Sequence, residues 1–131
     1  MLLGRLSLWR LSGVSRPLES HLAGRTKMFY FAYAVAHFVA GEHEAVVEWT
    51  EKVLRDSPIS APTMRYRVAS LGLLDRLEEG RQTVRRLLEQ VPDFTIARAR
   101  RHIEVGMSNI FKTPGVVDSF YEGLRRCGVP E

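Results

Sequence analysis

The stretch GEHEAVVEWTEKVLRDSP, Gly41 to Pro58, decides how the rest of the chain is read. A second stretch, DRLEEGRQTVRRLLEQVP, Asp75 to Pro92, aligns with it without a gap at a shift of 34 residues. Glu44 falls on Glu78, Leu54 on Leu88 and Pro58 on Pro92. His43 falls on Leu77, Val46 on Gly80, Thr50 on Val84 and Val53 on Leu87, so the same sites stay small or apolar. A fixed period of this length marks stacked two-helix units.

Each unit reads as a helical hairpin. Glu44 to Arg55 carries Val46, Val47, Trp49, Thr50, Val53 and Leu54 at three-and-four spacing, which is one apolar stripe. Glu48 and Lys52 stand four apart on its wet face, in the favourable order. Ser57-Pro58 ends it, because proline lacks an amide donor and disfavours helix in the residue before it. Met28 to Ala40 is the helix that precedes, stopped by Gly41. Thr63 to Leu74 and Glu78 to Gln90 form the second pair. Phe94 to Glu104 opens a third unit without a partner, Gly106 to Thr113 reads as a loop, and Pro114 opens a last helix through Arg126. Cys127-Gly128 closes that helix.

The 131 residues, 45% apolar and 26% charged, suit one soluble domain. The 19 Lys+Arg against 15 Asp+Glu give +4 and a pI of about 9.6. The excess is local. Residues 1–27 hold Arg5, Arg10, Arg16, Arg25 and Lys27 against Glu19 alone, so residues 28–131 hold 14 charges of each sign. An overall basic domain of the kind that grips nucleic acid is thereby excluded. Cys127 is the only cysteine, which forbids an internal disulfide and a cysteine zinc cage. The longest apolar run, Met28 to Ala40, falls short of the roughly 20 residues of a membrane span. Residues 1–26 are rich in Leu, Arg and Ser, a composition shared with organelle transit peptides. The expected location is cytoplasmic.

The helix pairs resemble tetratricopeptide repeats over roughly residues 27–104. GEHEAVVEWTEKVLRDSP is similar to the half-repeat G-x-Y-x-x-A-…-Y/F-…-A-L-x-x-x-P, with His43 for the usual tyrosine and Val46 and Val53 for the alanines. The second repeat departs further, with Asp75 for the turn glycine and Gly80 for the first alanine. IFKTPGVVDSFYEGLRRCGVPE, Ile110 to Glu131, resembles the closing segment of bacterial tetratricopeptide arrays that follow class III adenylate/guanylate cyclase domains or winged-helix regulators. Phe111, Lys112, Pro114, Phe120, Gly123, Leu124, Arg125, Gly128, Pro130 and Glu131 carry that likeness.

The resemblance implies an all-α, helical-hairpin solenoid of about two tetratricopeptide repeats plus C-terminal capping helices, spanning 27–131. Residues 1–26 then form a basic segment, either the remnant of a preceding repeat or disordered, with LWRLSG (Leu8 to Gly13) as a helix end. The implied function is a protein–protein interaction or oligomerisation module, the regulatory tail of a bacterial cyclase-like or regulator-like protein. Its partner would be a protein or peptide, or a second copy. The alternative is binding of nucleic acid or anionic membrane through the basic segment. In such arrays the first helices line a concave binding face, which places Phe31, Val35, Phe38, Arg65, Ala69 and Arg100 there. Two repeats and a cap fall below the three units that usually bury a continuous core, so self-association through Leu2, Leu6, Trp9, Phe31 and Phe38 is expected.

No motif for catalysis or a cofactor emerges. His21, His37, His43 and His102 show no metal-ligand spacing, and Glu42-His43-Glu44 sends successive side chains to different faces. His37, on an apolar helix, is expected to be a packed, hydrogen-bonded core histidine. Cys127 has no histidine near it in sequence, and no phosphate-binding glycine loop is present. An enzyme is therefore not expected. Arg81, Arg85, Arg86, Arg98, Arg100 and Arg101 face only Glu89 and Asp93 within residues 81–101, whereas residues 42–56 carry five acids against Lys52 and Arg55. That bipolar surface could stack repeats or meet an acidic partner, or be an ordinary solvated face.

Overall fold

The computed structural model describes residues 23–106 and 113–131, with side chains for 28–101 and 113–131. Six α-helices make up the described part: α1 (Ala23–Val39), α2 (His43–Asp56), α3 (Ala61–Leu73), α4 (Leu77–Gln90), α5 (Ile96–Gly106) and α6 (Val116–Arg126). The 34-residue shift is a property of the backbone as well as the sequence. α2 and α4 start at 43 and 77 and end at 56 and 90. The residues flanking them match too: φ/ψ is −92/69 at Glu42 and −91/64 at Arg76, then −133/77 at Ser57 and −133/80 at Val91.

The turns explain why. After α1, Gly41 adopts φ 78, its N–H donates to the Phe38 carbonyl, and the Glu42 N–H donates to the His37 carbonyl at 2.9 Å. This is a left-handed helix stop with crossed backbone bonds. Asp75 repeats it at φ 62, with Arg76 N–H bonded to the Leu71 carbonyl at 2.9 Å. Aspartate tolerates the left-handed region better than most side chains do, so the departure from glycine preserves the turn.

Helix α1 packs on α2 through Trp49, whose ring lies 5.3 Å from Tyr30 and 5.0 Å from Tyr33, with the Lys52 ammonium 4.6 Å over it. Arg67 of α3 donates to the Val47 carbonyl at 2.9 Å, fastening the second hairpin to the first. Burial lowers the Arg67 pKa, and Glu51 and Glu79 oppose that shift. Thr50, fully buried, satisfies its hydroxyl on the Val46 carbonyl of its own helix at 2.8 Å. Thr83 does the same on the Glu79 carbonyl at 3.0 Å, so both hydroxyls carry little of the desolvation penalty.

Helix α3 is buried nearly all round, because α6 lies along the side that α2 and α4 leave open. Gly123 of α6 meets the backbone of Ala69 and Gly72 of α3, with no side chain between. At the end of α6, Cys127 sits on Gly80 of α4 and its thiol approaches the Val68 carbonyl at 3.5 Å. The tail then turns at Gly128, φ 94, and ties back: the Ile96 N–H at the start of α5 donates to the Pro130 carbonyl at 2.8 Å.

Several boundaries differ from expectation. α1 begins at Ala23, five residues before Met28 and inside the segment set apart as 1–26. α6 begins at Val116 instead of Pro114, since Gly115 stands at φ 84 and cannot join a right-handed helix. Gly106 belongs to α5, not to the following loop. Leu2, Leu6, Trp9, Phe111 and Lys112 lie outside the described residues.

Candidate interaction surface

The six residues assigned to a concave face divide in the structure. Val35, Phe38 and Ala69 are core residues, at 6%, 2% and 0% exposed. Phe38 packs edge-on against Phe120 of α6 at 5.7 Å, and Ala69 lies under Gly123. The last helix thus fills the hollow where an external peptide was expected, and these three residues offer a partner no free surface. Phe31 is partly buried against Tyr66 at 5.7 Å. That also removes Phe38 from the expected self-association face, while Phe31 keeps part of its surface. Arg65 is half-buried with its guanidinium 6.0 Å from the Phe94 ring, and its Nε lacks a hydrogen-bond partner. Arg100 is exposed and stacks 4.8 Å over Tyr121.

What remains open is the outer face of α1. Met28, Phe29 and Tyr33 are 71%, 60% and 50% exposed, and the alanines at 32 and 36 share their side of the helix. Single exposed apolar residues are ordinary, but three large ones on consecutive turns of one helix form a continuous stripe. α6 fills the hollow on the inner side, where Phe120 meets both Phe38 of α1 and Tyr66 of α3. The outer face of α1 is thus the large apolar surface left exposed among the described residues.

The arginine cluster is largely paired. Arg81 and Arg85 both approach Glu78 at 3.9 Å, Arg98 pairs with Asp93, and Arg86 donates to the Pro58 carbonyl at 3.2 Å. Arg76 clamps Glu79 through two nitrogens and reaches Glu44 of the first hairpin at 3.2 Å. These are exposed pairs, each worth at most about 1 kcal/mol. A shallow depression beside α6, lined by Leu73, Arg100, Asp118, Tyr121, Glu122 and Arg125, is ringed by charges of both signs. Arg125 there is engaged by Glu131 at 2.6 Å.

Compared with known proteins, the chain matches no family model, no curated protein and no solved structure. The surface must therefore be read from its own chemistry.

Among the described residues no three His, Cys, Asp or Glu side chains gather as a metal site, and no helix is long and apolar enough to cross a membrane. Cys127 is buried, and burial raises its thiol pKa, the reverse of what a nucleophile needs. His37 bonds Glu42 through Nδ1 at 3.3 Å and stacks on Trp49, but at the edge of the core, with its side chain 16% exposed, and not inside it as expected. His43 turns inward, edge-on to Phe38 at 5.0 Å, with Nδ1 3.1 Å from the buried Ser70 hydroxyl.

Burial holds the His43 pKa below its ordinary 6.5, so the folded protein keeps a neutral ring where the unfolded chain takes up a proton. The stabilisation is complete above pH 6.5 and is lost as pH falls from there through the lowered folded value. Urea midpoints should therefore drop between about pH 7.5 and about pH 5.5, and a His43→Gln variant should drop less over that window. Equal slopes for both proteins would remove His43 from the account.

Proposed function

We propose that this chain is a protein–protein interaction or oligomerisation module, built as about two tetratricopeptide-like repeats with a C-terminal capping helix. One observation carries the reading: paired helices whose hollow is filled by α6, with Met28, Phe29 and Tyr33 left exposed on the outer face of α1. An apolar helix face rimmed by polar residues suits another helix, because it stacks as the next unit of the array would. The recurrence of helix bounds and turn angles at 34 residues supports the repeat assignment.

By its resemblance, the chain is the regulatory tail of a bacterial cyclase-like or regulator-like protein. The residues carrying that likeness have structural work that would account for such a pattern. Phe120 and Leu124 are core, Gly123 permits the helix crossing, and Gly128 makes the final turn. Pro130 and Glu131 tie the tail to α5 and Arg125.

The test sets this reading against binding through the basic segment. The full chain and a variant lacking residues 1–22 are compared for complex formation by native mass spectrometry, and for binding to duplex DNA and to anionic vesicles at low and high salt. A defined complex with a protein, itself included, supports the module. Salt-sensitive binding to DNA or vesicles that disappears with residues 1–22, and no protein complex, overturns it.

A further inference from the structure

We infer that the outer face of α1 is covered within one molecule by residues 1–13 of the same chain, through Leu2, Leu6 and Trp9. This contact lies beyond the module reading, because it sets what holds the face before any partner arrives. The face has the composition of a covered one. Its exposed residues from 28 to 40 are Met28, Phe29, Ala32, Tyr33, Ala36 and Ala40, without a charge among them. A helix side that stays in water is ordinarily polar.

Size selects among the occupants. Met28, Phe29 and Tyr33, at 71%, 60% and 50% exposed, offer roughly 350–400 Å². A stable complex between separate molecules covers about 800 Å² on each side, so this patch supplies about half of one. A segment joined to the face by its own backbone loses no translational freedom on docking, and it meets the face at an effective concentration on the order of millimolar. Residues 1–22 lie outside the described structure and run directly into α1 at Ala23. The stretch between Trp9 and Ala23, residues 10–22, can span up to about 45 Å, whereas Tyr33 stands about 15 Å along the helix from Ala23. The tether is therefore long enough to bring Trp9 back onto Phe29 or Tyr33.

The segment has the side chains for it. Leu2, Leu6 and Trp9 follow one another at spacings of four and three, which puts them on one side of a helix. The small Ala32 and Ala36 leave room beside Phe29 and Tyr33 for such bulk. Charge matches as well. Residues 1–22 hold Arg5, Arg10 and Arg16 against Glu19, and residues 42–56, whose helix packs on α1 through Trp49, hold five acids against Lys52 and Arg55. Among those acids Glu42, Glu44, Glu48 and Glu51 are exposed.

Hydroxyl-radical footprinting of the full chain at low micromolar concentration reads the access of each side chain to water. Met28, Phe29 and Tyr33 should react about fivefold more slowly in the parent than in a Leu6→Asp/Trp9→Asp variant, as for a face open about one-fifth of the time. Ile59, 69% exposed and outside this face, should react alike in both. The reciprocal change, Phe29→Asp, should release the segment, so that Trp9 oxidises faster than in the parent. Buried Phe120 staying slow in every variant shows that the fold is kept. Equal rates at Met28, Phe29 and Tyr33 in parent and variant overturn the inference. Protection that appears only as concentration rises overturns it in favour of a second copy, and protection that appears only with anionic vesicles overturns it in favour of a membrane. Failure of the module reading is distinguishable: protection by residues 1–13 without any protein complex keeps this contact and removes the module, and a protein complex without such protection does the reverse.

Discussion

Gly123→Ala should lower stability by about 3 kcal/mol, although alanine is the better helix former by about 1 kcal/mol. The sign is set by what the new methyl group meets. A Cβ on Gly123 would lie 2.7 Å from the Ala69 Cα and closer still to its carbonyl oxygen. These are backbone atoms of a neighbouring buried helix, so no rotamer change relieves the overlap. The helices must separate, and a gap of about 1 Å forfeits up to half the dispersion energy of every contact along the crossing. The reciprocal change makes the same demand: a Cβ on Gly72 would stand 2.9 Å from the Gly123 Cα. Gly72→Ala should therefore cost a similar amount, and the double variant less than the sum, since the first change has already parted the helices. Urea denaturation monitored by tryptophan fluorescence measures all three. A Gly123→Ala protein as stable as the parent would mean that α6 does not cross α3 at this point.

That crossing carries a signal in the sequence, though a quiet one. Gly72 and Gly123 both stand within helices, where glycine costs about 1 kcal/mol and asks for a packing reason. The periodic parts were easier to read. Pro58 and Pro92 stop α2 and α4 at the same phase, and an apolar stripe marks each helix, so the 34-residue period reappears in the backbone angles. The start of α1 was hidden because residues 23–27 carry no apolar periodicity; their helix is a matter of backbone continuity. Pro114 misled for a local reason. It suits a first helical turn, but the glycine after it takes a left-handed conformation and delays the helix to Val116.

The candidate surface was legible only in half. A run such as Phe31, Val35 and Phe38 marks one face of a helix, yet a binding face and a core face are written with the same residues. What separates them is where α6 lies, and that contact joins positions more than forty apart: Phe38 with Phe120, Gly80 with Cys127. Met28, Phe29 and Tyr33 were read as part of one apolar run, and their exposure follows from the side of α1 that α2 covers. Trp49 packs against Tyr30 and Tyr33, and Tyr33 still keeps half of its surface exposed.

Phe120→Ala should be the most damaging single truncation in the chain, at about 3–5 kcal/mol. Phe120 is 1% exposed, and it is the side chain through which α6 reaches both hairpins at once. Its ring lies 5.7 Å from Phe38 of α1, 5.2 Å from Tyr66 of α3 and 5.5 Å from its neighbour Tyr121. Phe38 and Tyr66 are themselves 5.6 Å apart, so the three rings close a triangle of tilted and edge-to-face contacts. Such pairs add about 0.5–1.5 kcal/mol each beyond the area they bury. The backbone around the ring cannot collapse to fill the void, because the Gly123 crossing one turn later already holds α6 and α3 at their closest approach. A domain of this size has only about 5–15 kcal/mol to lose. The expected result is a large fall in the urea midpoint, with the exposed surface of the Phe38–Tyr66 pair detected as new binding of a hydrophobic dye. Phe120→Leu, which keeps most of the volume but none of the ring geometry, should lose a smaller part. If Phe120→Ala costs no more than an exposed truncation such as Ile59→Ala, α6 does not fill the hollow, and the face formed by Phe38, Tyr66 and Ala69 is open to a partner after all.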